Sequence, residues 1–171
     1  MQKAKPVPYA TTLVVRDTCL CLAVQQAART LARRFDDVLR PIGLTSGQFS
    51  LLMSLNRPAP PTMKDVAELL AIDRTTLTAA LKPLTKKRLV QVVVDRNDKR
   101  SRRLILTSSG EALLAAAVPV WKRAHAALDK KLARGGKALR QDLIALTAAP
   151  DEDKARPRAT RGRKTDAPSA A

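Results

Sequence analysis

The residues best suited to chemistry stand in the stretch "VVVDRNDKRSRRLILTSSG", residues 92–110. Between its two apolar runs, residues 95–103 contain five Lys or Arg and two Asp. Guanidinium and ammonium groups bind phosphate oxygens, and arginine also reads base edges or enters a narrow minor groove. The composition of this segment therefore indicates recognition of a polyanion.

The charge of the whole chain points the same way. Its 171 residues include 32 Lys and Arg against 15 Asp and Glu, a net charge of +17. Ten of the basic residues and only two acidic ones fall between residues 74 and 103. We expect a nucleic acid or an anionic membrane surface as partner, with a merely solvated basic surface as the alternative. No apolar run approaches the length of a membrane span and the first residues lack a signal-peptide layout, so a cytoplasmic protein is expected.

Few other side chains offer reactive chemistry. Cys19 and Cys21 in "CLCLAV" are redox candidates, and burial as structural cysteines is the favoured alternative. His125 lies far along the chain from both, which gives no recognisable metal site. The sequence contains no nucleophile–base pair, phosphate loop or dinucleotide fingerprint. We therefore expect neither an enzyme nor a cofactor.

The elements before the charged segment must position it. Residues 18–39 have a helical period, and Thr45 with Gln48 forms a capping box at the start of the next helix. Thr62 caps a short helix, and Asp73 caps a longer one after a three-residue turn. Two helices so joined form a helix-turn-helix, although an ordinary helical hairpin has the same pattern.

The charged segment itself has the pattern of a hairpin. The runs 89–95 and 102–107 favour β-strands, and the six residues between them are polar turn formers. A basic hairpin directly after a helix-turn-helix makes a winged helix, mainly α with a small β-hairpin wing. Amphipathic helices in the range 108–149 are expected to pack on each other or on a second subunit. The first residues lack helical periodicity, so 1–17 is interpreted as an N-terminal arm, and 150–171 as a tail disordered by composition.

With its elements in this order, the chain resembles the MarR family of winged-helix transcriptional regulators. The segments that carry the resemblance are "LRPIGLTSGQFSLLMSL", "MKDVAELLAIDRTTLTAALKPLTKKRLV" and "DRNDKRSRRLILTSSGEALL", with Asp98-x-Arg100 as the most specific match. The resemblance implies one winged-helix domain over residues 18–149, with a DNA-binding core at about 45–107 and dimerisation helices at about 18–40 and 108–149. It also implies a homodimer that binds a pseudo-palindromic operator in double-stranded DNA.

The resemblance assigns individual residues to the DNA. Base edges would be read from the second helix of the helix-turn-helix by Arg74, Thr75, Thr76 and Thr78, with Lys82 nearer the backbone. Phosphates would be bound by Lys86, Arg96, Lys99 and Arg102. Arg100 is expected to enter the minor groove, and Asp98 to hold Arg100 in one rotamer through a charge-assisted hydrogen bond. Arg88 stands where family members often have glycine, which costs about 1 kcal/mol if the residue is left-handed.

Members of this family typically lose DNA affinity when they bind a small aromatic acid or phenol, or when a cysteine is oxidised. We expect a repressor released by an aromatic or phenolic effector. Phe49, Met53 and Trp121 could line its pocket, although core packing explains them equally well. Cys21 matches the reactive cysteine of the peroxide-sensing branch, but the two tyrosines that support the thiolate there are replaced here. A peroxide-responsive regulator and an architectural basic protein without an effector are the alternatives.

Overall fold

The chain folds mainly into helices, because leucine and alanine supply most of its apolar surface and aromatic residues only 2% of its composition. The computed structural model describes residues 6–148. In chain order, the elements of that range are α1 Tyr9–Thr18, α2 Leu20–Leu39, a 3-10 turn Arg40–Ile42, α3 Ser46–Leu55, α4 Met63–Leu69, α5 Arg74–Lys86, β1 Val90–Val94, β2 Arg102–Leu106, α6 Ser108–Asp129 and α7 Gly135–Ala148. The predicted fold class, mainly α with a small hairpin wing, is confirmed.

The helices around the wing begin at side chains that cap them. Thr45 and Gln48 form the predicted capping box at α3. Thr62 caps α4 in the same way with Asp65 as its partner, and Asp73 caps α5. Each cap satisfies backbone N–H groups that the first turn of a helix leaves without an internal partner. Local sequence therefore fixes where the helices of the helix-turn-helix start.

The N-terminal segment differs from its prediction. Helix α1 occupies residues 9–18, most of the segment 1–17 that the sequence pattern assigns to an arm. None of its residues is buried, and Val14 and Val15 are more than half exposed. Its threonines and valines have modest helix propensity, and its ten residues form too short a segment to give a helical signal of their own. The predicted tail, 150–171, lies outside the described residues.

The chain divides into two compact units, Met1–Ala127 and Leu128–Ala171. The core of the N-terminal unit consists of leucines from α2, α3, α5 and β2 that are almost fully buried: Leu39, Leu52, Leu77, Leu84 and Leu104. Burial of one such side chain contributes about 1.5–3 kcal/mol. Because α5 and β2 share this core, the helix and the hairpin are held in a fixed arrangement.

The hairpin is antiparallel, with Val90 opposite Leu106 and Val94 opposite Arg102. It is also joined to the loop before α4, because the N–H of Leu104 donates to the carbonyl of Pro61 at 2.9 Å. Thr62 forms an isolated bridge with Arg103 on the same side. The wing is therefore anchored to the start of the helix-turn-helix as well as to its end.

The described part of the C-terminal unit contains the end of α6 and helix α7. Two ion pairs lie within it, Arg140 with Asp129 at 3.7 Å and Arg134 with Asp142 at 3.8 Å. Several large apolar side chains of α7 are exposed: Leu139, Leu143, Ile144 and Leu146. Across residues 6–148, no helix combines the length and the hydropathy needed to cross a bilayer.

Candidate nucleic-acid interface

Helix α5 begins after Asp73, whose two carboxylate oxygens both accept hydrogen bonds from the first turn. Asp73 accepts a hydrogen bond from the backbone N–H of Thr76 at 2.8 Å and another from the Thr76 hydroxyl at 2.8 Å. The bond from the Thr76 backbone lowers the pKa of Asp73 below its usual value, with the Thr76 hydroxyl as the next cause. The carboxylate therefore stays ionised at the positive end of the helix dipole.

The burial pattern of α5 separates a core side from an outward side. Leu77, Leu81 and Leu84 are buried. All six residues of this helix that the sequence analysis assigns to DNA are exposed: Arg74, Thr75, Thr76, Thr78, Lys82 and Lys86. The outward side of α5 therefore carries three basic side chains and three threonines.

The connection from α5 to β1 runs through a left-handed residue. Arg88 has φ +55°, the conformation that glycine adopts without strain. Its N–H donates to the carbonyl of Thr85 at 2.9 Å, and the N–H of Leu89 donates to the carbonyl of Leu84 at 2.9 Å. These two bonds form a Schellman motif, which ends the helix and turns the chain into the wing. Ala71, φ +51°, has the same role in the turn between α4 and α5.

Asp95 organises the base of the wing loop. It is buried, accepts a hydrogen bond from the N–H of Asn97 at 2.8 Å, and pairs with the Nε of Arg103 at 2.5 Å. The Asn97 bond, followed by the hydrogen bond and charge of Arg103, lowers the pKa of Asp95. Arg103 also donates to the carbonyl of Pro60 at 2.7 Å. This arrangement ties the loop, the second strand and the segment before α4 together.

Asp95, Arg103 and Pro60 are not among the functional residues predicted from the sequence. The signal that could have found the pair is the hairpin register: Val94 opposite Arg102 and Val93 opposite Arg103 make residues 95 and 103 diagonal neighbours on one face of the hairpin. The contact with Pro60 spans 43 positions along the chain and has no local signal.

Asp98 does not hold Arg100 in the predicted way. Its carboxylate accepts a hydrogen bond from the backbone N–H of Arg100 at 2.9 Å, and its carbonyl accepts one from the N–H of Ser101 at 2.9 Å. Within the described chain, no hydrogen bond joins this carboxylate to the Arg100 guanidinium. The expectation that Asp98 fixes the Arg100 rotamer is therefore wrong. A carboxylate two residues before an N–H closes a turn of the backbone, so Asp98 shapes the loop that carries Arg100.

The basic side chains of the wing differ in how free they are. Arg96, Lys99 and Arg100 are exposed. Arg102 is half-buried, and its guanidinium donates to the carbonyls of Lys99 at 2.9 Å and Ser101 at 3.0 Å. One nitrogen of the Arg102 guanidinium therefore holds the loop in place. The sequence analysis expects the same guanidinium to bind phosphate.

The N-terminal end of α5 and the wing border a common cleft of about 520 Å³. Arg74 lies on the helix side, and Asp98, Arg100 and Arg102 lie on the wing side. Tertiary structure therefore brings together two groups of candidate residues that are well separated in sequence. The residues that line this cleft include four basic and two acidic side chains, so its net charge is positive and attracts a polyanion.

Comparisons with known proteins agree with this geometry. The sequence pattern of the MarR family matches residues 42–101. The transcriptional regulator MosR of M. tuberculosis, crystallised with DNA, is 35% identical, with a TM-score of 0.69 over 75% of this chain and 92% of MosR. This chain belongs to the MarR family.

Two further relatives extend the comparison. A mutant MarR from E. coli, crystallised with operator DNA, is 26% identical, with a TM-score of 0.70 over 78% of this chain and 97% of that one. YwoH of Bacillus subtilis, an uncharacterised HTH-type transcriptional regulator, is 33% identical over 52% of this chain. The chain spans 64% of YwoH and 50% of TtmR of Methylorubrum extorquens, so it matches about half to two-thirds of these curated relatives. The names of all these relatives describe transcriptional regulators or an operator complex.

This MarR-family chain also has a second cavity, of about 450 Å³, among α3, α4 and α6. Phe49, Met53 and Trp121 all line it, as does Lys122. The rings of Phe49 and Trp121 are stacked at 5.9 Å, and the Trp121 ring lies 4.8 Å from that of His125. The three residues suggested for an effector pocket are therefore together beside one cavity.

The cysteines are not buried. Cys19 is half-buried in the break between α1 and α2, and its Sγ accepts a hydrogen bond from the N–H of Leu22 at 3.5 Å. Cys21 is exposed. The expectation of buried structural cysteines is therefore wrong, because the break at residue 19 places both thiols at a helix start that the core of this unit does not cover. Among residues 6–148, no cluster of three or more His, Cys, Asp or Glu could hold a metal ion.

Proposed function

We propose that this protein is a homodimeric transcriptional regulator of the MarR family that binds double-stranded DNA at a pseudo-palindromic operator. The observation that carries the proposal is the common cleft between the N-terminal end of α5 and the wing, with Arg74 and Arg100 on its two sides. The DNA complexes of MosR and of the E. coli MarR mutant support it by analogy. A function on the chromosome also implies a cytoplasmic protein.

The proposed roles follow from exposure and chemistry. Arg74 pairs with guanine, and the threonines of α5 meet base edges in the major groove. Lys82 and Lys86 bind phosphates along the helix, and Arg96 and Lys99 bind them beside the wing. Arg100 enters the flanking minor groove. Arg102 contacts a phosphate with the donors that its bonds to the loop leave over.

The DNA-binding proposal is tested by selecting duplexes that bind the full chain from a random pool and then footprinting the enriched duplexes. We expect a palindrome whose half-sites lie about one helical turn apart. The affinity should fall steeply with salt, because phosphate contacts release counterions. Equal affinity for all duplexes at about 150 mM salt would support the architectural alternative instead.

Homodimerisation is supported by apolar side chains that stay exposed on helices at both ends of the chain. On α2 these are Leu20, Val24 and Leu31, and on α7 they include Leu143 and Ile144. Exposed apolar residues in such numbers are typical of a protein–protein interface. Sedimentation analysis should find a dimer, and Leu143→Glu should shift it toward monomer. The surface variant Lys137→Glu on the same helix is the matched control and should remain dimeric.

Repression relieved by a small aromatic acid or phenol is supported by the cavity beside Trp121. Its lining is mainly apolar, and Lys122 at its edge can pair with a carboxylate. Benzoic acids should quench Trp121 fluorescence and lower operator affinity, whereas Lys122→Gln should weaken the acids more than the phenols. No loss of operator affinity with either class would contradict the effector proposal and leave DNA binding intact.

A second candidate, a peroxide-responsive regulator of the same fold, is favoured by the exposure of Cys21 and the helix-end position of Cys19. Accessible cysteine thiols are oxidised by peroxides to sulfenic acid. Operator affinity should then fall after cumene hydroperoxide treatment, and Cys21→Ser or Cys19→Ser should abolish the response. Unchanged affinity with both thiols still titratable would eliminate this candidate.

A further inference from the structure

The outward side of α5 shows which chemical groups of a base pair it can read, and this inference rests on the proposed function. The leucines of α5 face the core, so the residues on the opposite side face away from the protein. Thr75, Ala79 and Pro83 follow one another at intervals of four on that side, and all three are exposed. Ala79 and Pro83 are not among the DNA-binding residues predicted from the sequence.

Two of the three threonine hydroxyls near this stripe already donate within the helix. The Thr76 hydroxyl donates to the Asp73 carboxylate at 2.8 Å, and the Thr78 hydroxyl donates to the Arg74 carbonyl at 2.7 Å. A hydroxyl has one proton, so these two groups have only acceptor capacity left for DNA. The side chains of Ala79 and Pro83 have no polar atom at all.

The major groove presents hydrogen-bond acceptors, the amino donors of adenine N6 and cytosine N4, and one apolar group, the thymine methyl. Guanine N7 and O6, adenine N7 and thymine O4 need a donor, whereas the thymine C5-methyl needs an apolar surface. We propose that Ala79 and Pro83 determine operator specificity by contacting the C5-methyl groups of thymines in each half-site. Thr75, whose hydroxyl makes no hydrogen bond within the described chain, and Arg74 supply the donors at the N-terminal end of the same stripe.

The basic residues beside the stripe explain how it would be held in the groove. Lys82 and Lys86 are exposed next to it and have long side chains that reach phosphates on the groove walls. These phosphate contacts fix the depth of the helix in the groove, but they do not depend on the base sequence. The small side chains at positions 79 and 83 allow the helix backbone to approach the base edges closely enough for methyl contact.

The test uses the selected operator and duplexes in which single thymines are replaced by deoxyuridine, which lacks only the C5-methyl. Operator affinity is measured by fluorescence anisotropy with the full chain at one salt concentration. At one or two positions in each half-site, deoxyuridine should weaken wild-type binding about three- to fivefold, the factor expected for one buried methyl group. Pro83→Ala and Ala79→Gly should each lose this discrimination at one of those positions.

The variants and controls separate the contact from folding and from charge. Pro83→Ala removes ring carbons and restores a helical N–H, so it should not unfold α5. Lys82→Gln should lower the affinity for thymine and deoxyuridine duplexes by the same factor and reduce the salt dependence. Equal wild-type affinity for all deoxyuridine duplexes, or full thymine preference in both stripe variants, would overturn the inference. If the selection enriches no duplex, the proposed function fails and this inference fails with it.

Discussion

The left-handed residue at the end of α5 gives the most direct stability prediction. Arg88 has φ +55°, where a Cβ atom crowds the backbone and glycine does not. Arg88→Gly keeps both backbone bonds of the Schellman motif and the bond from the Thr107 hydroxyl to the residue-88 carbonyl, 2.8 Å. We expect the free energy of unfolding to rise by about 1 kcal/mol, which is the strain removed less the extra freedom of glycine in the unfolded chain. For a chain of this length that corresponds to about 2–4 °C in Tm.

Two control variants isolate the backbone effect. Arg88→Ala removes the same charge and side chain but keeps the Cβ atom, so it should not gain stability. Lys87→Gly, at φ −78°, changes a residue without strain and should lose stability. Urea unfolding is followed by circular dichroism at one protein concentration, because a dimer makes stability depend on concentration. If Arg88→Gly is no more stable than Arg88→Ala, the left-handed conformation does not carry the strain assigned to it.

The remaining predictions concern packing, pH and the wing. Gly110→Ala should lower the free energy of unfolding by about 1–3 kcal/mol, because its Cβ would overlap the Leu89 carbonyl oxygen. Gly47→Ala, whose Cβ would meet nothing within 4 Å, should not lower it. Equal effects of the two variants in urea unfolding would contradict this account. Among the residues that the structure describes, three carboxylates have a pKa below the usual value of about 3.9, so their stabilisation is complete above that value and is lost as the pH falls through the lowered pKa values. They are Asp65, Asp73 and Asp95. Tm should therefore fall steeply below about pH 4, and a flat acid profile would refute the capping account. Arg100→Ala should weaken operator binding by about 1–3 kcal/mol. Asp98→Ala should weaken it too, but Asp98→Asn, which keeps an acceptor for the loop N–H, should not; equal loss in both would mean that the charge matters.

Local sequence was a good guide wherever one short segment contains the whole cause of a feature. The capping box of Thr45 and Gln48 and the cap at Asp73 appear in the structure as predicted, because donor and acceptor are three residues apart. The same holds for the hairpin, whose two apolar runs and polar turn sit within one short stretch of chain. Helix α1 was missed because it is short, contains threonines and valines of modest helix propensity, and buries no residue in the core of its unit.

Side-chain partners were a weaker part of the prediction. Asp98 and Arg100 were correctly singled out as a pair, but the carboxylate binds the backbone N–H and not the guanidinium. The charges alone could not distinguish these two hydrogen-bond partners, because the backbone N–H and the guanidinium of a residue two positions away can both come within hydrogen-bond distance of the carboxylate. The cysteines were expected to be buried structural residues because of their apolar character, but at the start of α2 Cys19 is only half-buried and Cys21 is exposed.

The sequence by itself determined the order of the elements from α2 onward, the concentration of positive charge in α5 and the wing, and the family resemblance. Only the tertiary structure decided that Arg103 joins Asp95 to the carbonyl of Pro60, and that Arg74 and the wing arginines face one cleft. The physical reason is range: caps and turns are settled by atoms a few residues apart, whereas these contacts exist only after the leucine core has brought distant segments together. The concentration of positive charge could be predicted from the sequence, whereas the leucine core determines which surface of the fold carries it.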